Sequence, residues 1–288
     1  LIGISALFLV AILSSGCVSE DLKTSGKGNI IGIEPGAGIM GNTETAIEEY
    51  DLDFDLVASS SAGMASELTK AIKDERWIVV TGWTPHWMFA RFDLKYLEDP
   101  KGIYGGEEYI ATLARKGLES DKPGVYGILE RFQWTSADME SVMLAVEDGA
   151  TPEEAAAEWI ENHQDQVAGW LGDDTASGEK VSIGYVLWDS EIASTNVLKQ
   201  AFEQAGYKVD ISAVDAGPLY QAVSEGDVDF TVSAWLPVTQ ANYWEKYKDD
   251  IVMVRKNLEG ARCGLVVPDY VTISSIDELN SFKEQFGL

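Results

Sequence analysis

Two stretches of the chain end an apolar, β-like run on a tryptophan with proline two residues on: Val79-Val80-Thr81-Gly82-Trp83-Thr84-Pro85 and Val232-Ser233-Ala234-Trp235-Leu236-Pro237. Trp83 and Trp235 lie 152 residues apart, and the same spacing relates Ile31-Gly32 to Ile183-Gly184, which marks an internal repeat. A third tryptophan, Trp188, follows the first strand expected in the second unit. An indole face attracts a cation by ~0.5–1 kcal/mol when exposed and by ~2 kcal/mol or more when desolvated. Three faces around one methylated ammonium would hold it without any hydrogen bond, which suits a group that has no N–H to donate. For a single tryptophan the alternative is a large apolar anchor in a core or lobe interface. The joint placement of three is what points to a ligand.

Gly36-Ala37-Gly38-Ile39 sits where a strand hands over to a helix. The first N–H groups of a helix have no internal partner, and with the dipole they form a site for a carboxylate or phosphate. A turn that needs glycine only for its backbone angles is the alternative. No Gly-Lys-Ser/Thr follows, so the turn is not a P-loop. Of the two histidines, His86 lies near the expected cleft as a structural hydrogen-bonding residue, and His163 reads as solvated on a polar helix. Asp189 and Glu191 could form an acidic pair, or could favour the start of a helix at Glu191. There is no nucleophile elbow, no histidine pair at metal spacing and no cysteine cluster. The expectation is therefore a binding protein without cofactor or metal. Trp77, Trp87, Trp134, Trp159, Trp170 and Trp244 are assigned to packing or surface.

The elements that must position these residues read as α/β. Ile30 to Ile33, Asp55 to Ala58 and Trp77 to Gly82 are strands, with helices over Ile39 to Tyr50 and Ala62 to Lys73 between them. The order predicts a parallel sheet flanked by helices. The second unit repeats it, with strands Val181 to Leu187, Lys208 to Val214 and Asp229 to Ala234. Its helices are Glu191 to Ala205, closed by Gly206, and one from Ala216-Gly217-Pro218 to Glu225. Glu107 to Leu171 reads as mainly helical and Gly172 to Lys180 as a polar linker. Ile251 to Val254 and Cys263 to Pro268 read as two strands, and Ser275 to Phe286 as a final helix.

With 48 acidic against 21 basic residues the formal charge is −27, so phosphate is repelled and nucleic acid is not an expected partner. Leu1 to Leu13 is apolar but shorter than the ~20 residues of a spanning helix, and reads as the core of an export signal. Cys17 after Ser14-Ser15-Gly16 looks like a lipoprotein attachment site, with residues 18–28 as a flexible tether. The other cysteine, Cys263, reads as a buried structural thiol.

Four blocks in order carry a resemblance to a known family: Ile31-Gly32-Ile33-Glu34-Pro35-Gly36-Ala37-Gly38-Ile39-Met40, Thr81-Gly82-Trp83-Thr84-Pro85-His86-Trp87-Met88-Phe89, Trp188-Asp189-Ser190-Glu191-Ile192-Ala193-Ser194-Thr195-Asn196 and Ser233-Ala234-Trp235-Leu236-Pro237. The chain resembles glycine betaine-binding proteins of ABC importers in which the lobe-forming segments run in circularly permuted order. The resemblance implies a two-lobed type II periplasmic-binding-protein fold, here divided as residues 29–105 plus 270–288 and residues 106–269. It implies that Trp83, Trp188 and Trp235 cage a trimethylammonium group and that the amides of Gly38 and Ile39 bind a carboxylate. Close relatives add a histidine five residues after the last cage tryptophan, where this chain has Gln240, a neutral residue that can still donate. The partners implied are glycine betaine or proline betaine and the permease and ATPase of an importer. The setting is extracytoplasmic, with the chain a lipid-anchored monomer on the outer face of the membrane. A receptor for choline or another methylated amine, and a secreted carbohydrate-active protein with tryptophans as stacking platforms, are the alternatives.

Overall fold

The computed structural model describes residues 26–287. The expected signal, Cys17 and the first part of the tether lie outside these residues. The first unit runs β1 (Gly28–Ile31), α1 (Gly38–Glu49), β2 (Phe54–Val57), α2 (Ser61–Lys73) and β3 (Val79–Thr84). After α3 (Trp87–Arg91) and β4 (Leu94–Tyr96) come β5 (Glu108–Arg115) and five helices, α4 (Leu118–Asp121), α5 (Pro123–Arg131), α6 (Ser136–Glu147), α7 (Pro152–Asn162) and α8 (Gln164–Leu171). The second unit is β6 (Lys180–Tyr185), α9 (Asp189–Gln204), β7 (Lys208–Ala213), α10 (Ala216–Glu225) and β8 (Phe230–Leu236). The chain ends with α11 (Ala241–Tyr247), β9 (Ile251–Pro268) and a 3₁₀ segment, Ile276–Phe286.

Both units have the same internal order. β1 pairs in parallel with β2 and β3, and β6 with β7 and β8. β3 and β8 are almost wholly buried, as strands covered on both faces must be, and their sequences are correspondingly apolar. Each opens onto its tryptophan at the carboxyl end, the edge where ligands meet open α/β sheets. The helices begin where local chemistry allows. Ser60 caps α2 by accepting from the Gly63 N–H, and Thr151 and Glu154 form a capping box on α7 with Pro152 at its first turn.

Three sequence expectations are corrected. Glu108–Arg115 is a strand inside the region read as mainly helical. Its alanines and leucine suit a helix, but β8 and β9 pair with both of its edges and that pairing overrides propensity. The two strands expected near the end are one, β9, whose polar middle hid its continuity. Its first part pairs antiparallel with β5, and Arg262 to Val266 pair antiparallel with β3. This strand joins the two halves, giving the order β2-β1-β3-β9-β5-β8-β6-β7 with β4 beside β9. The arrangement is a mixed α/β fold of two similar units. The last helix is also 3₁₀ rather than α, with Phe282 outside helical angles.

Asp229, at the mouth of β8, clamps the second sheet. It accepts from Arg115 Nε at 3.0 Å, Lys122 Nζ at 2.7 Å and the Ser182 N–H at 2.9 Å. Burial alone would raise its carboxyl, but the bonds from Lys122, Ser182 and Arg115 hold it below its ordinary value. A depressed carboxylate contributes stability that is present above the unfolded-state pKa and lost as pH falls through the native one. Asp229→Asn is therefore expected to lower stability by ~2 kcal/mol near neutrality, as Lys122 loses its counter-charge and Arg115 keeps only Asp121. In denaturant titrations the gap between wild type and variant should narrow below about pH 4.

Candidate ligand-binding site

Trp83 closes β3, Trp235 closes β8, and Trp188 is the residue before α9. All three are buried and line one cavity, together with Ala37, Gly38 and Ile39 at the start of α1 and with Ile33, Thr239 and Cys263. A buried indole N–H needs an acceptor, and each of these three finds one outside the cavity. Trp83 Nε1 donates to Ser190 Oγ at 3.3 Å, Trp235 Nε1 to Glu191 Oε1 at 2.7 Å, and Trp188 Nε1 to Glu34. The walls are thus aromatic and apolar, with their polar edges turned away. Among the described residues no lysine or arginine lines the cavity.

At the other end stands the N-terminus of α1. Ala37 precedes it in an extended conformation and no side chain caps it, so the N–H groups of Gly38 and Ile39 lack an intrahelical partner. Gly38 has a steric reason to be glycine: a Cβ there would lie 1.8 Å from the Thr239 carbonyl oxygen of the second half. Thr239 is held by Glu108, which accepts from the N–H groups of Val238 and Thr239 at 2.9 and 2.8 Å and from Thr239 Oγ1 at 2.5 Å. Gln240 is buried just behind and does not line the cavity. Its Oε1 accepts from Tyr220 at 3.0 Å and from the Trp235 N–H at 3.1 Å, while Nε2 has no partner.

The halves also meet at Asp189. It accepts from Ser61 Oγ at 2.7 Å and from Trp87 Nε1 at 3.4 Å, and His86 Nε2 lies 3.4 Å away. Burial would raise the Asp189 carboxyl, but His86, Ser61 and Trp87 hold it below its ordinary value. Tyr243 adds a bond to the Gly36 carbonyl at 2.7 Å. Several sequence readings change. Trp87 packs in the core as expected and also donates to this clasp. Asp189 and Glu191 are not side-chain caps, since none caps α9: Asp189 bridges the cleft and Glu191 lies under Trp235. Cys263 is buried as expected, but in the cavity wall, opposite Trp83 in the β3–β9 pairing. His163 is half-exposed, with one face stacked on Trp159 at a ring-centroid distance of 4.2 Å. Glu34, Glu108, Ser190 and Thr239 had no motif of their own. The only signal for Glu34 and Ser190 was adjacency to Pro35-Gly36 and Trp188-Asp189.

A family model for the substrate-binding domain of ABC-type glycine betaine transport systems matches residues 13–162 and 179–288. The chain belongs to this family. It is 50% identical over 269 residues to the glycine betaine/carnitine transport binding protein GbuC of Listeria monocytogenes serotype 1/2a (strain 10403S), covering 92% of this chain and 90% of the relative. Among solved structures it is similar to lactococcal OpuAC in its closed-liganded conformation with glycine betaine, at 47% identity and a TM-score of 0.46 over 50% of this chain and 57% of that one. It is also similar to the glycine/betaine/L-proline-binding protein ProX of Borrelia burgdorferi, at 33% identity and a TM-score of 0.45 over 51% and 56%. Both structural matches span little more than half of the solved chain.

For this member of the glycine betaine transport family, Cys263 can report on the clasp. Burial pushes its thiol well up, so iodoacetamide should label it slowly in the folded chain. Asp189→Ala removes the acceptor shared by Ser61, His86 and Trp87. It should speed labelling of Cys263, read by peptide mapping, by about tenfold, the effect of losing a charged hydrogen bond. An unchanged rate would mean that the clasp does not hold the halves together.

Proposed function

We propose that the cavity receives a trimethylammonium carboxylate, glycine betaine first and proline betaine as a close second. The observation that carries this reading is three buried indoles around a cavity that no basic side chain lines, with an uncapped helix N-terminus at one end. Trp83, Trp188 and Trp235 would hold the quaternary ammonium by cation–π attraction, strengthened as the cleft excludes water. The Gly38 and Ile39 amides would take the carboxylate. Gln240 stands behind the cavity wall with Nε2 unpartnered, and a side-chain shift toward the cavity would let it add a neutral hydrogen bond to the carboxylate. The Listeria relative is named for glycine betaine and carnitine, and both molecules carry this pair of groups.

The chain is a substrate-binding protein of a glycine betaine ABC transport system. In the proposed arrangement residues 29–105 plus 270–288 form the first lobe and residues 106–269 the second, with β9 passing between them. Closure on the ligand creates the surface that the permease and its ATPase recognise. Residues 1–17 direct export, Cys17 carries a lipid, and residues 18–28 tether a monomer to the outer face of the membrane. No catalysis is assigned. The carboxylates of the cleft, Asp189 and Glu191, are engaged in hydrogen bonds to neighbouring side chains, which supports binding over turnover. A receptor for choline is the second reading, favoured by the neutrality of Gln240.

Calorimetric titration with glycine betaine, proline betaine and choline tests this. Betaines should bind more tightly than choline, which lacks the carboxylate. Trp188→Ala should weaken betaine binding by tenfold or more, at ~2 kcal/mol per desolvated indole. Equal binding of choline would move the assignment to the methylamine receptor, and no binding by any of the three would end it. Gly38→Ala sets a methyl against the Thr239 carbonyl and should weaken betaine by about ten- to a hundredfold, as overpacking typically costs ~1–3 kcal/mol.

A further inference from the structure

Glu191 lies beneath the tryptophan cage rather than in it. It is 1% exposed, and among the described residues no lysine, arginine or histidine makes an ion pair with it. Its partners are the Ser190 hydroxyl at 2.6 Å and the Trp235 indole N–H at 2.7 Å. Ser190 Oγ in turn accepts the indole N–H of Trp83 at 3.3 Å. One carboxylate therefore ends the hydrogen-bond chains of two of the three indoles, Trp235 directly and Trp83 through Ser190. An ionised carboxylate shut away from water without a counter-ion is unfavourable by several kcal/mol; its place in the first turn of α9, with its own N–H bonded to it, offsets part of this but supplies no full opposite charge. What would balance it is a cation on the other side of the rings.

We propose that Glu191 is the counter-charge of the cage. Ionised, it fixes the Trp83 and Trp235 rings and gives the site the negative charge that makes it select a full cation over a neutral group of the same shape. This rests on the quaternary-ammonium reading above. An indole that donates its N–H to an anion is polarised so that its face becomes more negative, which strengthens cation–π attraction. The direct charge–charge attraction across the ring adds to this in a site without water. In the absence of a cation, burial pushes the Glu191 carboxyl up to about 7, against the opposing effect of the Ser190 and Trp235 bonds. A bound cation favours the ionised form, so binding releases a proton from Glu191 to solvent and affinity rises with pH until that carboxyl is already ionised.

The other ionisable groups around it do not mimic this. Asp189, two residues away on the same helix, adds to the upward push on Glu191, but its own carboxylate is turned to Ser61 and Trp87, with His86 from the turn after β3 beside it. The Cys263 thiol faces Glu191 from β9, and Glu108 on β5 lies beyond Cys263. The clasp at Asp189 and His86 lies outside the cavity lining, whereas Glu191 backs the Trp235 ring that lines it.

The test uses glycine betaine and 3,3-dimethylbutanoate, which keeps the carboxylate and replaces trimethylammonium by a neutral tert-butyl group. Affinities for both are measured in wild type and in Glu191→Gln. The ratio of betaine to isostere affinity should be high in wild type and fall by about tenfold or more in the variant. A parallel loss of both ligands at constant ratio would give Glu191 a merely structural role and overturn the inference. A second measurement needs no variant. Calorimetry of wild type in buffers of different ionisation enthalpy, between about pH 6 and 7, should show proton release with betaine and none with the isostere. Betaine binding without proton release would also overturn it. Failure of wild type to bind betaine at all would instead overturn the ligand reading on which the inference stands.

Discussion

A buried indole must still place its N–H, and around this cavity that requirement links the cage to the meeting of the two halves. Trp83 belongs to the first unit and donates to Ser190 of the second. Trp188 belongs to the second and donates to Glu34 of the first. Only Trp235 is satisfied within its own unit, by Glu191. With the halves apart, two of the three rings would lose the bonds that orient them. Cage geometry and closure are thus one event rather than two. The contact of Gly38 with the Thr239 carbonyl brings the helix terminus into the same event, since both ends of the cavity form only when the halves touch.

The internal repeat supplies the two poles of the site. At the repeat spacing of 152 residues, Gly38-Ile39 corresponds to Ser190-Glu191, so the starts of α1 and α9 are equivalent to within one residue. One copy keeps bare backbone N–H groups, and the helix dipole there favours negative charge. The other copy places a buried carboxylate under the aromatic rings. In the proposed site these two equivalent strand-to-helix turns would serve the opposite ends of a zwitterion. β9, hydrogen-bonded to both sheets, keeps these ends in register across the cleft.

Much of this was legible along the chain, and what was missed shares a cause. The repeat, the strand-ending tryptophans and the glycine turn are local patterns of side-chain type and spacing, and the observed elements follow them to within a few residues. β5 was missed because its strand state comes from two neighbours distant in sequence. β9 was read as two strands because its middle, Arg255-Lys256-Asn257, is polar yet remains in the ladder through irregular register. Asp189 and Glu191 were weighed as helix-start residues because that is the cheapest local role for an acid there, whereas their actual partners lie up to 128 positions away.

The sequence by itself determined the α/β units, their duplication and the identity of the aromatic and glycine residues that a ligand site would use, because periodicity and turn chemistry act over a few residues. Only the tertiary structure decided which acceptor each indole N–H reaches, why residue 38 must lack a side chain, and which carboxylates are shut away without a basic partner. Those properties depend on which distant groups exclude water from a given atom, and neither dielectric environment nor close approach is written in any local stretch of the chain.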